Sequence, residues 1–190
     1  MIDPEVLIQG YRLGVFPMAM ESGEIEWFSP DPRAILPLNQ FHISHTLERV
    51  IRKQIFEVRI NTAFVGVMQE CAQRDETWIN GEIIESYQRL HQLGNAHSVE
   101  AWQDGKLAGG LYGVSIGGVF FGESMFHQIR DASKFALWAL VERLRERRFV
   151  LLDTQWLTPH LKKFGAIEIP RPQYLHLLSS AANLSRRFAE

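Results

Sequence analysis

Asp153 and Gln155 end the apolar segment FVLLDTQ, spaced as two side chains on one face of a strand. The carboxylate and the amide would then point the same way. At the carboxyl end of a strand they would stand where ligands gather in α/β architectures. The other reading is local, a strand-ending Asp that caps the helical region at Thr158. Spacing alone leaves both open. Glu123 is the second candidate, because Phe120, Phe121, Met125 and Phe126 flank it and carboxylates are seldom buried without a partner. It lies in AGGLYGVSIGGVFFGESMF (Ala108–Phe126), where Gly109, Gly110, Gly113, Gly117, Gly118 and Gly122 interrupt two apolar strands. Glycine weakens a strand interior. This density points either to something that approaches the backbone closely or to bulged central strands around a tight turn.

Other residues carry weaker signals. Trp27 (WFSP) and Trp78 (TWING) both stand in turns, where tryptophan either covers a core edge or offers a face for base stacking. Basic residues gather between Arg130 and Arg171, which fits a phosphate track or a solvated helix end favoured by the helix dipole. His42, His45, His91 and His97 lack a second cysteine or a suitable carboxylate spacing, so no metal site is expected. Cys71, the single cysteine, reads as a small core residue, excludes a disulfide framework and fits a reducing, cytoplasmic setting. Aspartate plus glutamate (22) nearly balances lysine plus arginine (20), so net charge alone predicts no polyanion partner. The start MIDPEVLIQG lacks the basic and apolar regions of a signal peptide, and no apolar run approaches the ~18 residues of a membrane span.

The elements that must position these residues follow from periodicity. Residues 1–38, with Pro17, Pro30, Pro32 and Pro37 among aromatics, read as a short helix and then strands and turns. This is a small N-terminal lobe that must lean on a body spanning 39–190. In the lobe, a strand from Glu26, a Ser-Pro-Asp-Pro turn and a strand at Arg33–Leu36 are expected. Ser44 caps a helix, Phe56–Ile60 alternates as a strand, and Asn61 or Thr62 caps the helix FVGVMQECAQ. A further helix, GEIIESYQRLHQLG, stops at Gly94. Asp104-Gly105 turns a hairpin, and Val119–Phe126 adds a third antiparallel strand. Ala132–Arg147 is the clearest helix, with Leu137, Leu140, Val141 and Leu144 on one face. A strand at Phe149–Asp153, a short helix to Gly165 and a strand at Ala166–Ile169 complete the order. The class is α+β, a mixed sheet flanked by helices. The order resembles the fold of the acetyl-coenzyme-A-dependent N-acetyltransferases. Their pyrophosphate cradle needs a Gly-rich loop, and the matching junction Phe126–Lys134 has no glycine, which argues against that coenzyme.

The ordered set GVFPM, WFSPDPR, HTLERV, TWING, Tyr87-x-x-Leu90-His91, GNAHSVEAW, LAGGLYG, VFFGESMF, ASKFAL, LLDTQ and HLKKFGA resembles the bacterial leucyl/phenylalanyl-tRNA–protein transferases, from about Gly10 to Tyr174. The resemblance implies an acetyltransferase-like domain with a small N-terminal domain. It implies transfer of leucine or phenylalanine, and methionine more weakly, from aminoacyl-tRNA to the N-terminal arginine or lysine of a protein. No cofactor is implied. It further implies that Asp153 and Gln155 are the catalytic Asp-x-Gln, that Trp27 and Trp78 hold the terminal adenosine, and that Leu111, Phe120, Leu137, Leu140 and Leu152 surround the aminoacyl side chain. Glu123, beside Ser124, matches a glutamate at the pocket edge, where it or Asp153 would meet the basic acceptor. Thr154 departs from the family, where cysteine is common, and so does His127, where serine is usual. The rival readings are a coenzyme-dependent N-acetyltransferase of the same fold and a non-catalytic RNA-binding module.

Overall fold

Apolar residues alternate through the middle of the chain. In the computed structural model, which describes residues 1–189, they form the centre of a seven-stranded mixed sheet. Its strands lie in the order β4 (Glu57–Ile60), β5 (Ala96–Gln103), β6 (Lys106–Ile116), β7 (Val119–His127), β8 (Leu151–Gln155), β3 (Arg33–Ile35) and β9 (Ile167–Ile169). Only β7 and β8 run parallel, and the connection between them is α5 (Ala132–Glu146). That follows from chain geometry, since parallel neighbours need a long crossover whereas hairpins need two residues. Asp104 and Gly105 both take positive φ, as a tight hairpin turn requires. The α+β architecture expected from the element order is the one observed.

Adjacent residues on the strands divide between two cores. Phe121 and Leu151 join Leu7, Val67, Tyr87 and Leu178, from α1 (Pro4–Arg12), α3 (Phe64–Ala72), α4 (Gly81–Gln92) and α7 (Arg171–Ala182). Phe120 and Leu152 join Leu47 of α2 (His45–Arg52) and Leu137, Leu140 and Leu144 of α5. Each fully buried side chain of this kind contributes ~1.5–3 kcal/mol, so both helix layers are held by the same strands. Among the described residues, no helix is long and apolar enough to cross a membrane.

Several local expectations change. β1 (Phe16–Ala19) and β2 (Ile25–Phe28) pair with each other in a separate hairpin. The strand after the Ser-Pro-Asp-Pro turn, grouped by sequence with the N-terminal lobe, is β3, and it sits between β8 and β9 in the large sheet. Neither Asn61 nor Thr62 caps α3; its free amides at Thr62 and Ala63 donate to the Glu100 carboxylate from β5 at 2.9 and 2.8 Å. Beyond Ile169, where no element was expected, the chain forms α7. Its first turn holds Pro172, and proline fits there because the first amides of a helix have no intrahelical partner.

β3 and α7 together enclose a buried ion pair. Arg33, 1% exposed, donates from Nε and Nη2 to Asp153 at 3.0 and 2.7 Å, and from Nη1 to the Gly14 carbonyl at 2.9 Å. Its guanidinium lies 4.4 Å from the Tyr174 ring centroid and 4.9 Å from that of Phe16. Burial opposes the charge on Arg33, but Asp153 outweighs it and holds the guanidinium protonated above its ordinary range. Removing one partner of such a pair leaves an uncompensated buried charge. Arg33→Met should therefore cost about 3–5 kcal/mol in urea denaturation at pH 7. A loss under about 1 kcal/mol would show that the pair does not hold the sheet edge.

Candidate active site

β7 and β8 are in register over Val119–Leu151, Phe120–Leu152 and Phe121–Asp153 only, and β7 then continues to His127 paired with β6 alone. A cavity of about 400 Å³ occupies the place where the two strands part. From β7 it takes Gly122, Glu123, Ser124 and Met125; from β8 and its extension Leu152, Thr154, Gln155 and Trp156. Leu111 and Tyr112 of β6 and Leu137 and Leu140 of α5 close the back. Arg74, Trp78, Thr158, His160 and Leu161 complete the lining. One side is thus a wall of leucines with Met125, and the other carries tyrosine, carboxylate, hydroxyl and amide groups.

The structure brings together Gln155, Glu123, Ser124, Trp78, Leu111, Leu137, Leu140 and Leu152 from the residues singled out in the sequence. It leaves out Asp153, Phe120 and Trp27. Asp153 does not stand at the rim. It is 0% exposed, and its oxygens accept from Arg33, from the Tyr174 hydroxyl at 2.7 Å and from the Gln155 backbone amide at 2.8 Å. The expectation that it shares a face with Gln155 fails because Gln155 has φ 65°, so strand alternation ends there. That turn sends the Gln155 side chain toward Glu123, whose Oε1 accepts from its Nε2 at 3.1 Å. Phe120 is fully buried elsewhere, its ring over Gly113 and 5.0 Å from that of Phe188. A Cβ on Gly113 would lie 2.4 Å from Phe120 Cε1, so this glycine is what lets the ring fold away from the cavity. Trp27, 38% exposed, covers Gly10 at a second hollow beside Leu13 and Val15 of the N-terminal segment.

Trp156 is the tryptophan the sequence reading overlooked. It is 42% exposed at the cavity and meets the Phe16 ring edge-on at 5.1 Å. Its position directly after the Asp-x-Gln was the available signal. Tyr11 and Tyr174 carried none, and Tyr87 only its place in Tyr87-x-x-Leu90-His91, because each acquires its meaning from a partner distant in the chain. The Tyr11 hydroxyl donates to Glu123 Oε1 at 2.6 Å and also touches the Tyr87 hydroxyl. Tyr11 has one proton to give, so the bond from Tyr87 must run toward it. Burial, then the nearby Glu123 charge, pushes the hydroxyls of Tyr11, Tyr87 and Tyr112 well above the usual range, which keeps them protonated donors.

Glu123 is buried with its charge only partly matched. Burial pushes its carboxyl up to about 7; the bonds from Tyr11 and Gln155 and the Arg33 charge oppose this, and Asp153 adds to it. Glu123 Oε2, Tyr112 Oη and Thr154 Oγ1, all on cavity-lining residues, make no hydrogen bond within the protein. Buried polar atoms are nearly always paired, so three unpaired ones on cavity-lining residues are a polar demand that the protein itself leaves unmet. His160 is held below its ordinary range, first by burial and then by Lys134, Lys163 and His127; of the two lysines, Lys134 is paired with Asp131 at 2.6 Å. The Cys71 thiol, pushed up to about 12 by burial, is a core group of α3 rather than a nucleophile. Among the described residues, no three His, Cys, Asp or Glu side chains form a metal-binding group.

Comparison with known proteins agrees along nearly the whole chain. The family model described as leucyl/phenylalanyl-tRNA protein transferase matches residues 35–179, and that of the same family's N-terminal domain matches residues 1–31. The leucyl/phenylalanyl-tRNA–protein transferase of Herpetosiphon aurantiacus is 58% identical over 188 residues, 98% of each chain. That of Rubrobacter xylanophilus is 53% identical over 189 residues, 99% of each chain. Among solved structures, L-PGS from Bacillus licheniformis superposes with a TM-score of 0.45 at 13% identity, over 83% of this chain and 55% of that one. With one family model spanning most of its residues and relatives more than half identical end to end, the chain belongs to the leucyl/phenylalanyl-tRNA–protein transferase family.

Proposed function

We propose that this protein transfers leucine or phenylalanine, and methionine less well, from aminoacyl-tRNA to the N-terminal arginine or lysine of acceptor proteins. The product carries a new peptide bond and an N-terminal residue that marks it for degradation, and the setting is the cytoplasm. One observation carries the reading beyond family membership: a leucine-walled cavity with Gln155 and Glu123 on its polar side. The aminoacyl side chain lies against Leu111, Leu137, Leu140 and Leu152. Trp78 and Trp156 offer aromatic faces to the terminal adenosine, and base stacking of this kind tolerates any base. Lys134 and Lys163, close to His160, favour the phosphates of the tRNA end.

The chemistry demands little of the protein. The donor is already an activated ester, so no coenzyme is needed. An α-amine with pKa of about 7.7–8.0 is roughly a tenth neutral at pH 7. Holding amine and ester together removes most of the entropic part of the barrier. In this scheme Asp153 acts at one remove: it fixes the backbone of Gln155, and the Gln155 amide orients the amine beside the ester carbonyl. The direct test supplies leucyl-tRNA with a peptide beginning in arginine and one beginning in alanine. Leucine mass should be added to the first; equal addition to both, or to neither, would overturn the reading.

The cavity wall also makes a selectivity prediction. Leu140→Phe should narrow the site and lower phenylalanine transfer roughly tenfold relative to leucine, because small volume changes in an apolar pocket are worth ~1–3 kcal/mol. Phe120→Ala should behave differently, because Phe120 lies outside the cavity. It should cost about 3–5 kcal/mol of stability and leave the ratio of phenylalanine to leucine transfer unchanged. A changed ratio in Phe120→Ala, or an unchanged one in Leu140→Phe, measured by competition between the two charged tRNAs, would place the side-chain pocket elsewhere.

A further inference from the structure

We propose that Glu123 is the proton acceptor of the transfer, receiving a proton on Oε2 from the α-ammonium group of the acceptor while Tyr11 and Gln155 hold Oε1. The inference rests on the transfer reading above. At neutral pH most acceptor termini are ammonium ions, which have no lone pair for attack. Something in the cavity must take a proton, and few groups there can. Asp153 accepts four hydrogen bonds from Arg33, Tyr174 and Gln155, and does not line the cavity. The Gln155 amide is not basic, and the tyrosines are donors at working pH.

Glu123 has the complementary arrangement. Both donors it receives, Tyr11 Oη at 2.6 Å and Gln155 Nε2 at 3.1 Å, fall on Oε1. Oε2 makes no bond within the protein and is itself buried, so it is the one oxygen left to take a proton, and the acceptor's ammonium must displace the side chains that cover it. Because Gln155 turns its Nε2 to the carboxylate, its carbonyl oxygen is left to accept from the same ammonium. The charged and titratable groups facing Glu123 are Tyr11 from α1, Tyr87 from α4, Tyr112 from β6, Arg33 from β3 and Asp153 from β8, with Tyr174 of α7 beyond them. Their sum with burial sets the carboxyl at about 7, near the working pH, where a general base is most effective.

The step balances as follows. One ammonium proton passes to Glu123 Oε2, and the freed nitrogen lone pair attacks the ester carbonyl. As the bond between that carbon and the ribose oxygen breaks, a second proton from the nitrogen goes to the oxygen, which leaves as a hydroxyl. Glu123 then releases its proton to solvent, so each peptide bond yields one proton.

The test is the pH profile of leucine transfer to an arginine-initiated peptide between pH 5.5 and 9, with leucyl-tRNA saturating and product followed by mass. The wild-type rate should rise with pH and level off near 7. In Glu123→Gln the rise should move to the acceptor amine's own pKa near 8, giving roughly a tenfold loss at pH 6.5 that closes by pH 9. Tyr11→Phe removes a donor that favours the charged carboxylate, so its break should move upward while the acid is retained. A wild-type profile in Glu123→Gln would overturn the proposal. So would a loss equal at every pH and confined to a higher KM for the arginine peptide, the signature of side-chain recognition. If Glu123→Gln does not fold, Tyr11→Phe decides alone, and an unmoved break there overturns the proposal. A break that moves in His160→Gln instead would assign the proton to that ring. Wild-type protein that adds no leucine to any peptide overturns the parent reading, and this one with it.

Discussion

The ion pair between Arg33 and Asp153 ties together three parts of the chain that have no local reason to meet. Arg33 comes from a three-residue strand near the N-terminus, Asp153 from the end of β8, and Tyr174 from the C-terminal helix. Burying the two charges is costly, and the cost is offset only because nearly every lone pair and proton is used. Arg33 also donates to the Gly14 carbonyl and lies over two aromatic faces, which shield it without competing for its donors. The energetic return as stability is small. What the arrangement secures is position: Asp153 Oδ1 accepts the Gln155 amide and so holds a residue at φ 65° that no strand would otherwise keep.

From that fixed backbone the rest of the site follows. β7 and β8 stay in register for three residue pairs and then separate, β7 keeping its partner β6 and β8 its partner β3, and the cavity lies in the gap between them. Leucines from β6, β8 and α5 supply a surface that water leaves readily and that distinguishes side chains only by size and shape. With the aminoacyl side chain placed there as proposed, graded selectivity among leucine, methionine and phenylalanine is what such a wall would give. Discrimination against polar side chains is stronger, because the apolar wall gives their donors and acceptors no partner.

Much of this was legible in the sequence, and the limits are physical. The leucine face of α5 follows from helical spacing, and the order of strands and helices from turn residues and periodicity. The pocket leucines, Glu123 and Gln155 were identified through ordered motifs. The direction of Asp153 was misread, because strand alternation was extended through a residue that breaks it. Phe120 was placed in the pocket because nothing in the sequence shows that Gly113, across the sheet, receives its ring. Tyr11 and Arg33 lie 112 and 120 residues from the carboxylates they serve, so no local pattern marks them. α7 was not expected, and its buried residues, Tyr174, Leu178, Ala181 and Ala182, acquire their role only from the sheet they pack on.

Glu123 shows what the site costs the fold. Its carboxyl rises from the ordinary 4.5 to about 7 on folding, so the native state binds the proton more tightly than the unfolded chain does. The sign follows from linkage: the favourable contribution of the protonated acid is complete below about pH 4.5 and is lost as pH rises through 7. At neutral pH and above, the ionised group therefore opposes folding by on the order of a few kcal/mol. A leucine or methionine at that position would remove the penalty, and selection for stability alone would favour it. Tyr11, Tyr87 and Gln155 reduce the penalty without removing it, because all their help reaches Oε1 and none reaches Oε2. A fold that wanted only a buried carboxylate would have supplied donors to both oxygens, as this one does for Asp153. Two acids in one site, one saturated and one left half-bonded, are thereby free for different work: the first holds the backbone, and the second is the one proposed to exchange protons with what enters the cavity.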